Sequence, residues 1–275
     1  MKKTLLLSLA VGLSIGASVA VAQNCKTTAA EAQVSAVYPT ADVLPENLLR
    51  FYVYFSMPMK RENILNAVYL ADSDVQKLEG VFLDNRFDLW SPDSTRLTLL
   101  FDPGRVKTGL VAHNAMGRAL KSGHDYQLII DSSAMDAGGC AMASGFKKTF
   151  TATAADDQTP DPNQWMLSQP QEGTTEALTV DFNGPMDHVS LAYRIRVKDG
   201  AGQTVPGRIG LAHQEKQWIF IPDASWGQTP YTLSVNPILE DLAGNRIAGL
   251  FDQPSLVKES QAQKQWLSLP VSLGQ

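Results

Sequence analysis

Alternating hydrophobic and polar positions recur along this chain in short runs, and most of the runs end at a turn signal. The clearest run covers residues 48–55, where Leu49, Phe51 and Val53 fall on one face of an extended segment. Residues two apart share a face of a strand, so the run predicts a half-buried strand that ends before Pro58. Such runs are closely spaced and helical periodicity is nearly absent, so the predicted fold class is an all-β sandwich.

The same pattern places the other strands. The first part of the chain is predicted to contain strands at 34–38, 48–55, 67–71, 80–90, 96–101, 124–131 and 146–153, and the second part at 177–182, 191–197, 207–212, 217–221 and 231–235. Segments 80–90 and 96–101 are expected to form a hairpin around the turn at residues 91–94.

The end of the chain carries one more alternating run. Leu267, Leu269, Val271 and Leu273 occupy every second position after a polar stretch. This pattern predicts a strand that adds to a sheet edge, either its own or a partner's. The alternative is a disordered terminus, because Pro270 removes a hydrogen-bond donor and chain ends usually fray.

Two segments of the chain repeat one signature. Phe55-Ser-Met-Pro-Met59 returns as Phe182-Asn-Gly-Pro-Met186, 127 residues later, and the turn at Asp136 returns at Asp241 after 105 residues. The order of the shared landmarks predicts two divergent copies of one unit. We therefore divide the chain into a leader (1–22), a first domain (23–153), a linker (154–164), a second domain (165–252) and a tail (253–275).

These landmarks carry a resemblance to a known family. The second copy has the fuller set, which comprises Phe182, Pro185, Met186, Asp187, Tyr231, Asp241, Gly244 and Asn245. The set resembles the bacterial Ig-like domain of the S-layer-protein (SbsA) type, over about 34–252 in two copies. The first copy departs from it, with Lys60 in the place of Asp187 and Gly139 in the place of Asn245. The resemblance implies two tandem Ig-like β-sandwich domains and a structural or adhesive role in an exported bacterial protein.

The N-terminus indicates export. Lys2 and Lys3 precede an apolar run from Leu5 to Ala22, which closes on a small-x-small pattern at residues 20–22. This is typical of a cleaved signal peptide, and the alternative is an uncleaved membrane anchor. We expect a soluble mature chain that is periplasmic or extracellular.

Charge and cysteine content limit the kinds of partner and compartment. Loss of the two leader lysines takes the formal charge from −5 to −7, which argues against nucleic acid as a partner. Cys25 and Cys140 are the only cysteines, and in an oxidising compartment they predict a disulfide rather than two free thiols. In the implied Ig-like fold, parallel pairing of the first and last strands would bring the two cysteines to the same end.

Three sets of residues are candidate sites. The insertion at 104–123 carries four cations and no acid, and it predicts either an anion-binding loop or a solvated loop; the cations are Arg105, Lys107, Arg118 and Lys121. The linker aspartates Asp156, Asp157 and Asp161 predict either a calcium site or a stiff, soluble connection. Asp241, Gly244 and Asn245 predict a structural turn, with both Gly244 and Asn245 at positive φ.

Catalytic motifs are missing from the sequence. There is no Gly-x-Ser-x-Gly, no His-Glu-x-x-His and no phosphate-binding loop, and the four histidines lack metal-ligand spacing. We therefore expect a non-enzymatic structural or binding protein of the bacterial cell envelope, without a cofactor, whose partner is an envelope protein or a surface polymer. The alternative is a binding module for an anionic glycan or lipid that uses the basic insertion.

Overall fold

A computed structural model describes residues 31–83, 89–106, 117–251 and 265–274. The predicted signal peptide, Cys25 and Lys107 lie outside the described residues. Within these ranges the chain is built almost entirely from short strands, which confirms the predicted all-β sandwich fold class.

The described residues of the first half form seven strands. They are β1 (Val34–Tyr38), β2 (Val43–Pro45), β3 (Arg50–Phe55), β4 (Val68–Asp72), β5 (Arg96–Leu100), β6 (Asp125–Ile130) and β7 (Phe146–Thr153). One sheet has the order β1-β3-β5 and the other has the order β2-β7-β6-β4. A four-residue helix, α1 (Pro103–Val106), follows β5.

In the second half, the described residues form seven strands and one longer helix. They are β8 (Met166–Leu167), β9 (Leu178–Asp181), α2 (His188–Arg194), β10 (Ile195–Lys198), β11 (Gly207–Ala212), β12 (Gln217–Pro222), β13 (Tyr231–Val235) and β14 (Leu267–Val271). Their sheets have the orders β11-β12-β9-β8 and β10-β13-β14.

Corresponding strands pair in the same way in the two halves. Val68 of β4 lies opposite Ile130 of β6, and Ile195 of β10 lies opposite Val235 of β13. In the first half β2 runs parallel to β7, and in the second half a parallel bridge joins Gln171 to Gly274. The shared signature is also bridged alike, because Met59 pairs with Asp136 and Met186 pairs with Asp241.

The terminal strand β14 completes the second sandwich. All five of its residues pair antiparallel with β13, and Pro270 lies opposite Thr232. Val271 is 7% exposed and belongs to the second core. The sheet-edge prediction is therefore confirmed for the chain's own sheet, and the disordered alternative is wrong for residues 267–271. Proline is tolerated here because β14 is an edge strand.

Three strand predictions differ from the structure. Residues 188–194 form α2 instead of the start of a strand at 191, because Asp187 caps the helix by accepting a hydrogen bond from Ser190 N at 2.7 Å. The described part of 80–90 makes only isolated bridges, from Trp90 to Leu97 of β5 and from Phe82 to Phe101 just after β5. The strand parallel to β7 is β2, whereas β1 pairs with β3 in the other sheet.

Each half packs its two sheets around a hydrophobic core. Phe51, Val53 and Leu128 are fully buried in the first core, as are Val180 and Trp218 in the second. Burial of a large apolar side chain contributes about 1.5–3 kcal/mol. One residue of the second half, Leu242, is a member of the first core. The two sandwiches are therefore in direct contact.

No described helix has the length and apolar character needed to cross a membrane.

Candidate functional site

The structure describes three of the four cations of the basic insertion. The Nη1 atom of Arg118 lies 2.6 Å from Glu46 Oε1, so an acid from outside the insertion balances this charge. Arg105 lies in α1, and the side chain of Lys121 is exposed. Lys107 lies outside the described residues, so the anion-binding loop stays a prediction.

Two of the three linker aspartates form hydrogen bonds with other residues of the chain. The backbone of Asp156 is held by Asn47, whose side chain both donates to and accepts from it at 2.9 Å. Asp161 caps the short 3-10 helix Pro162–Gln164 and accepts from Asn163 N at 3.0 Å, whereas Asp157 is exposed. Among the residues that the structure describes, no group of three or more His, Cys, Asp or Glu side chains is placed to hold a metal ion.

The turn at Asp241 forms part of the contact between the halves. The Oδ1 atom of Asp241 accepts from Ala243 N at 2.8 Å and from Asn245 N at 2.9 Å, and Gly244 has a φ of 80°. Asn245 does not take the positive φ that we expected. Its side chain instead donates to Asp156 O at 2.8 Å and ties the turn to the linker.

The matching turn of the first half corrects one equivalence. Asp136 Oδ1 accepts from Gly138 N and from Cys140 N, as Asp241 does from Ala243 N and Asn245 N. Cys140 therefore occupies the place of Asn245, and Gly139 that of Gly244. The predicted disulfide partner, Cys25, lies outside the described residues. The backbone of Ala143 donates to Ala32 O at 3.1 Å, which brings the start of the described chain near this turn.

The most polar buried region lies between the two sandwiches, and we name it the junction. Its residues come from β1 to β3 of the first half and from Asp187, α2 and the segments 213–216 and 240–246 of the second. At its centre, Tyr52 Oη donates to Asp187, at 2.9 Å from Oδ2 and 3.1 Å from Oδ1. Both residues are 4% exposed, so the hydrogen bond is shielded from water.

A chain of ion pairs surrounds this hydrogen bond. Arg50 Nη2 lies 2.5 Å from Glu240 Oε2, and Arg246 Nη2 lies 2.8 Å from Glu240 Oε1. Arg50 Nε is 3.8 Å from Asp187 Oδ2, which is an ion pair but too long for a hydrogen bond. Glu240 thus forms an ion pair with one arginine of each half, through a different carboxylate oxygen for each.

A second polar contact lies beside the first. Glu215, which is 3% exposed, accepts from Thr40 N at 2.9 Å and from Thr40 Oγ1 at 2.8 Å. The ring of His188 stacks on Tyr38 with the centroids 3.5 Å apart, and Tyr54 meets the same imidazole edge-on. The start of α2 therefore packs against aromatic side chains of β1 and β3.

Burial shifts the ionisation of the junction residues. It raises the pKa of Asp187 and of Glu215, against the opposing effects of Arg50 on Asp187 and of the Thr40 hydrogen bonds on Glu215. It lowers the pKa of His188 to about 4, and Arg96 adds to this effect. Burial and the nearby Asp156 raise the pKa of Asp241 to about 8.

The sequence patterns predicted the turn residues but not the junction. Arg50, Tyr52 and Tyr54 lie on the face of β3 opposite to its core residues, where alternation predicts solvent exposure. One available signal was an aromatic and charged outer face on a single strand. Another was the Asp-x-x-Ser cap at residues 187–190, which predicts a helix start.

Two clefts open beside the junction. One, of about 510 Å³, lies between Tyr38 and His188 on one side and β11 with the turn after it on the other. The other, of about 440 Å³, is lined by α2, Arg50 and the segment 238–246. We name the second cleft the arginine cleft because Arg50, Arg194 and Arg246 all line it.

The chain is similar to one protein family and to several solved structures. No curated protein matches the chain. Among solved structures, alpha-2-macroglobulin from Escherichia coli (domains MG0-NIE-MG1) is similar, with 15% identity, a TM-score of 0.29 and coverage of 75% of this chain and 66% of that one. Surface layer protein SbsC, domains 1–6, is also similar, with 16% identity and a TM-score of 0.31. The similarity covers 75% of this chain and 23% of that one. The chain thus spans less than two thirds of either protein. Residues 164–256, which contain most of the second sandwich, match the bacterial Ig-like domain family.

Proposed function

We propose that this protein is a non-catalytic structural and binding module of the bacterial cell envelope, built from two tandem Ig-like domains of the SbsA type. The family match to residues 164–256 supports the assignment of the second domain. The equivalent bridges Met59–Asp136 and Met186–Asp241 support extending it to the first. The Lys2-Lys3 and Leu5–Ala22 leader supports export to the periplasm or the cell surface.

The junction is the observation that carries the proposed role. Flexible arrays of domains are usually joined by exposed linkers and small polar contacts. Here Tyr52, Asp187 and Glu215 are buried between the halves and hydrogen-bonded across them. Opening the junction would break these hydrogen bonds together, and each intramolecular hydrogen bond contributes about 0.5–1.5 kcal/mol net to stability. The two sandwiches therefore act as one rigid unit, which suits a spacer or scaffold in an envelope assembly.

A two-step experiment tests this role. In solution, ¹⁵N relaxation should give one rotational correlation time for both halves, and two shorter ones in a variant that carries Arg50→Ala and Glu215→Ala. Crosslinking in envelope extract should then identify one protein partner that binds the wild-type protein and is lost in the loosened variant. Independent tumbling of the wild-type halves would contradict the rigid-unit role.

The alternative is an anionic glycan or lipid bound by the basic insertion, in which Lys121 is exposed. Replacing Arg105, Lys107, Arg118 and Lys121 by Ser separates the two functions. A protein partner retained by this variant supports the scaffold. A glycan or lipid lost from this variant, but kept by the loosened one, supports the alternative instead.

A further inference from the structure

Among the residues that the structure describes, the arginine cleft has more basic than acidic residues in its lining. The basic residues are Arg50, Arg194 and Arg246, and the acidic residues are Asp187 and Glu240. This surplus of positive charge lies in a chain whose formal net charge is −5.

Both carboxylates of the cleft are already engaged. Glu240 accepts from Arg50 at Oε2 and from Arg246 at Oε1. Asp187 accepts from Tyr52 at both oxygens and from Ser190 N at Oδ1. Neither acid is therefore available to neutralise the third arginine.

Arg194 is the free cation. Its guanidinium has no hydrogen-bond or ion-pair partner in the part of the chain that the structure describes, and it carries five N–H donors in a planar fork. Arg246 donates from Nε and Nη2 to Glu240, and its Nη1 has no hydrogen-bond partner among the described residues. Such forks bind carboxylates in a bidentate manner. The cleft thus presents an unfilled site for an anionic group.

The remaining lining residues indicate what carries that anionic group. Tyr193 is 60% exposed and offers a flat ring at the cleft, and Ser190 Oγ accepts from Glu240 N, so its own hydroxyl proton can be donated. None of the described lining residues belongs to an edge strand, because Arg50 lies in the central strand β3, so these residues offer an extended peptide no open sheet edge. A hydroxyl-rich anion fits a lining of arginine, serine and tyrosine.

We propose that the arginine cleft binds an anionic saccharide. Arg194 and Arg246 donate hydrogen bonds to a carboxylate of the sugar, and the ring of Tyr193 packs against the sugar ring. The cleft volume of about 440 Å³ lies within the range of small-ligand sites. This site is separate from the basic insertion. Its failure would leave the proposed scaffold role intact, because that role depends on the junction hydrogen bonds and not on Arg194.

Calorimetry on the purified protein tests the proposal with four probes. They are digalacturonic acid, its neutral counterpart galactobiose, a tetraglutamate peptide and inorganic phosphate. We expect binding of digalacturonic acid that weakens as salt is added, and no measurable binding of galactobiose. Equal binding of galactobiose, absence of binding to digalacturonic acid, or equally tight binding of the peptide or of phosphate would each overturn the saccharide assignment.

Two variants locate the site on the protein. Arg194→Ser should weaken digalacturonic acid binding about tenfold or more, because it removes a charge-assisted contact. Tyr193→Ala should weaken it while leaving its salt dependence unchanged. The matched control is Arg208→Ser, which removes the same charge from the exposed strand β11, away from the cleft. Unchanged affinity in Arg194→Ser, or an equal loss in Arg208→Ser, would overturn the placement.

Discussion

The phenol of Tyr52 donates a hydrogen bond to the carboxylate of Asp187, from the first sandwich to the second, over 2.9 Å. The same carboxylate caps helix α2 through Ser190 N. One side chain thus links the start of a helix in one half to the outer face of a strand in the other. Burial raises the pKa of Tyr52, so the phenol keeps its proton and remains a donor.

Removal of that donor should destabilise the protein. Tyr52→Phe leaves Asp187 buried with one partner fewer, and we expect the free energy of unfolding to fall by about 1–3 kcal/mol. Urea denaturation followed by fluorescence measures the change. The control is Tyr193→Phe, which removes a hydroxyl from a residue that is 60% exposed and should have little effect. An equally small effect of Tyr52→Phe would mean that this hydrogen bond makes no net contribution to the free energy of unfolding.

Gly244 lies at a point where the two halves approach each other closely. A Cβ atom at this position would lie 2.5 Å from Leu49 Cδ2, and the φ of +80° adds backbone strain to any other residue. Gly173 has a similar φ of +77° with open space around it. We expect Gly173→Ala to cost about 1 kcal/mol from backbone strain alone, and Gly244→Ala to cost about 1–3 kcal/mol more. Thermal unfolding compares the two, and equal costs would show that the halves separate without penalty.

The stability of the protein should depend on pH through Asp241. Its pKa is raised from an ordinary value of about 4 to about 8 by burial and by Asp156, so the folded state holds a proton that the unfolded chain releases. The stabilisation that this proton gives the folded state is fully present below about pH 4, and it is lost as the pH rises through about 8. Asp187 and Glu215, whose pKa values are also raised, act in the same direction.

The test of this dependence is Asp241→Asn. The variant keeps an oxygen that can accept from Ala243 N and Asn245 N, but it does not titrate. We expect the fall in unfolding free energy between about pH 5 and pH 8 to shrink by about 1 kcal/mol or more. Asp136→Asn changes the matching, more exposed turn and serves as the control. An unchanged pH profile in Asp241→Asn would contradict the prediction.

The terminal strand should be essential to the second sandwich. Val271→Asp places a charge at a position that is 7% exposed in the second core, and we expect a loss of about 2–4 kcal/mol. Ser268→Asp puts the same charge on an exposed position of β14 and should change stability by less than about 0.5 kcal/mol. Denaturation curves compare the two variants. Equal stability would mean that β14 does not pack in solution.

Local patterns were sufficient for much of the fold. The run around Phe51 and Val53 predicted β3, and Leu267 to Val271 predicted β14, because alternation of period two directly records which face of a strand is buried. The repeated Phe-x-x-Pro-Met signature located equivalent bridges in both halves. Helix α2 was missed because a short helix within a β protein is determined by its cap at Asp187 and not by a long periodic pattern.

The sequence by itself determined most of the strands and their inner faces, since these depend on neighbours a few residues away. Only the tertiary structure decided that the outer face of β3 is buried too. Tyr52 meets Asp187 across 135 positions of sequence, and Arg50 meets Glu240 across 190. No periodicity within either segment encodes those pairs, because their burial comes from the packing of one finished sandwich against another.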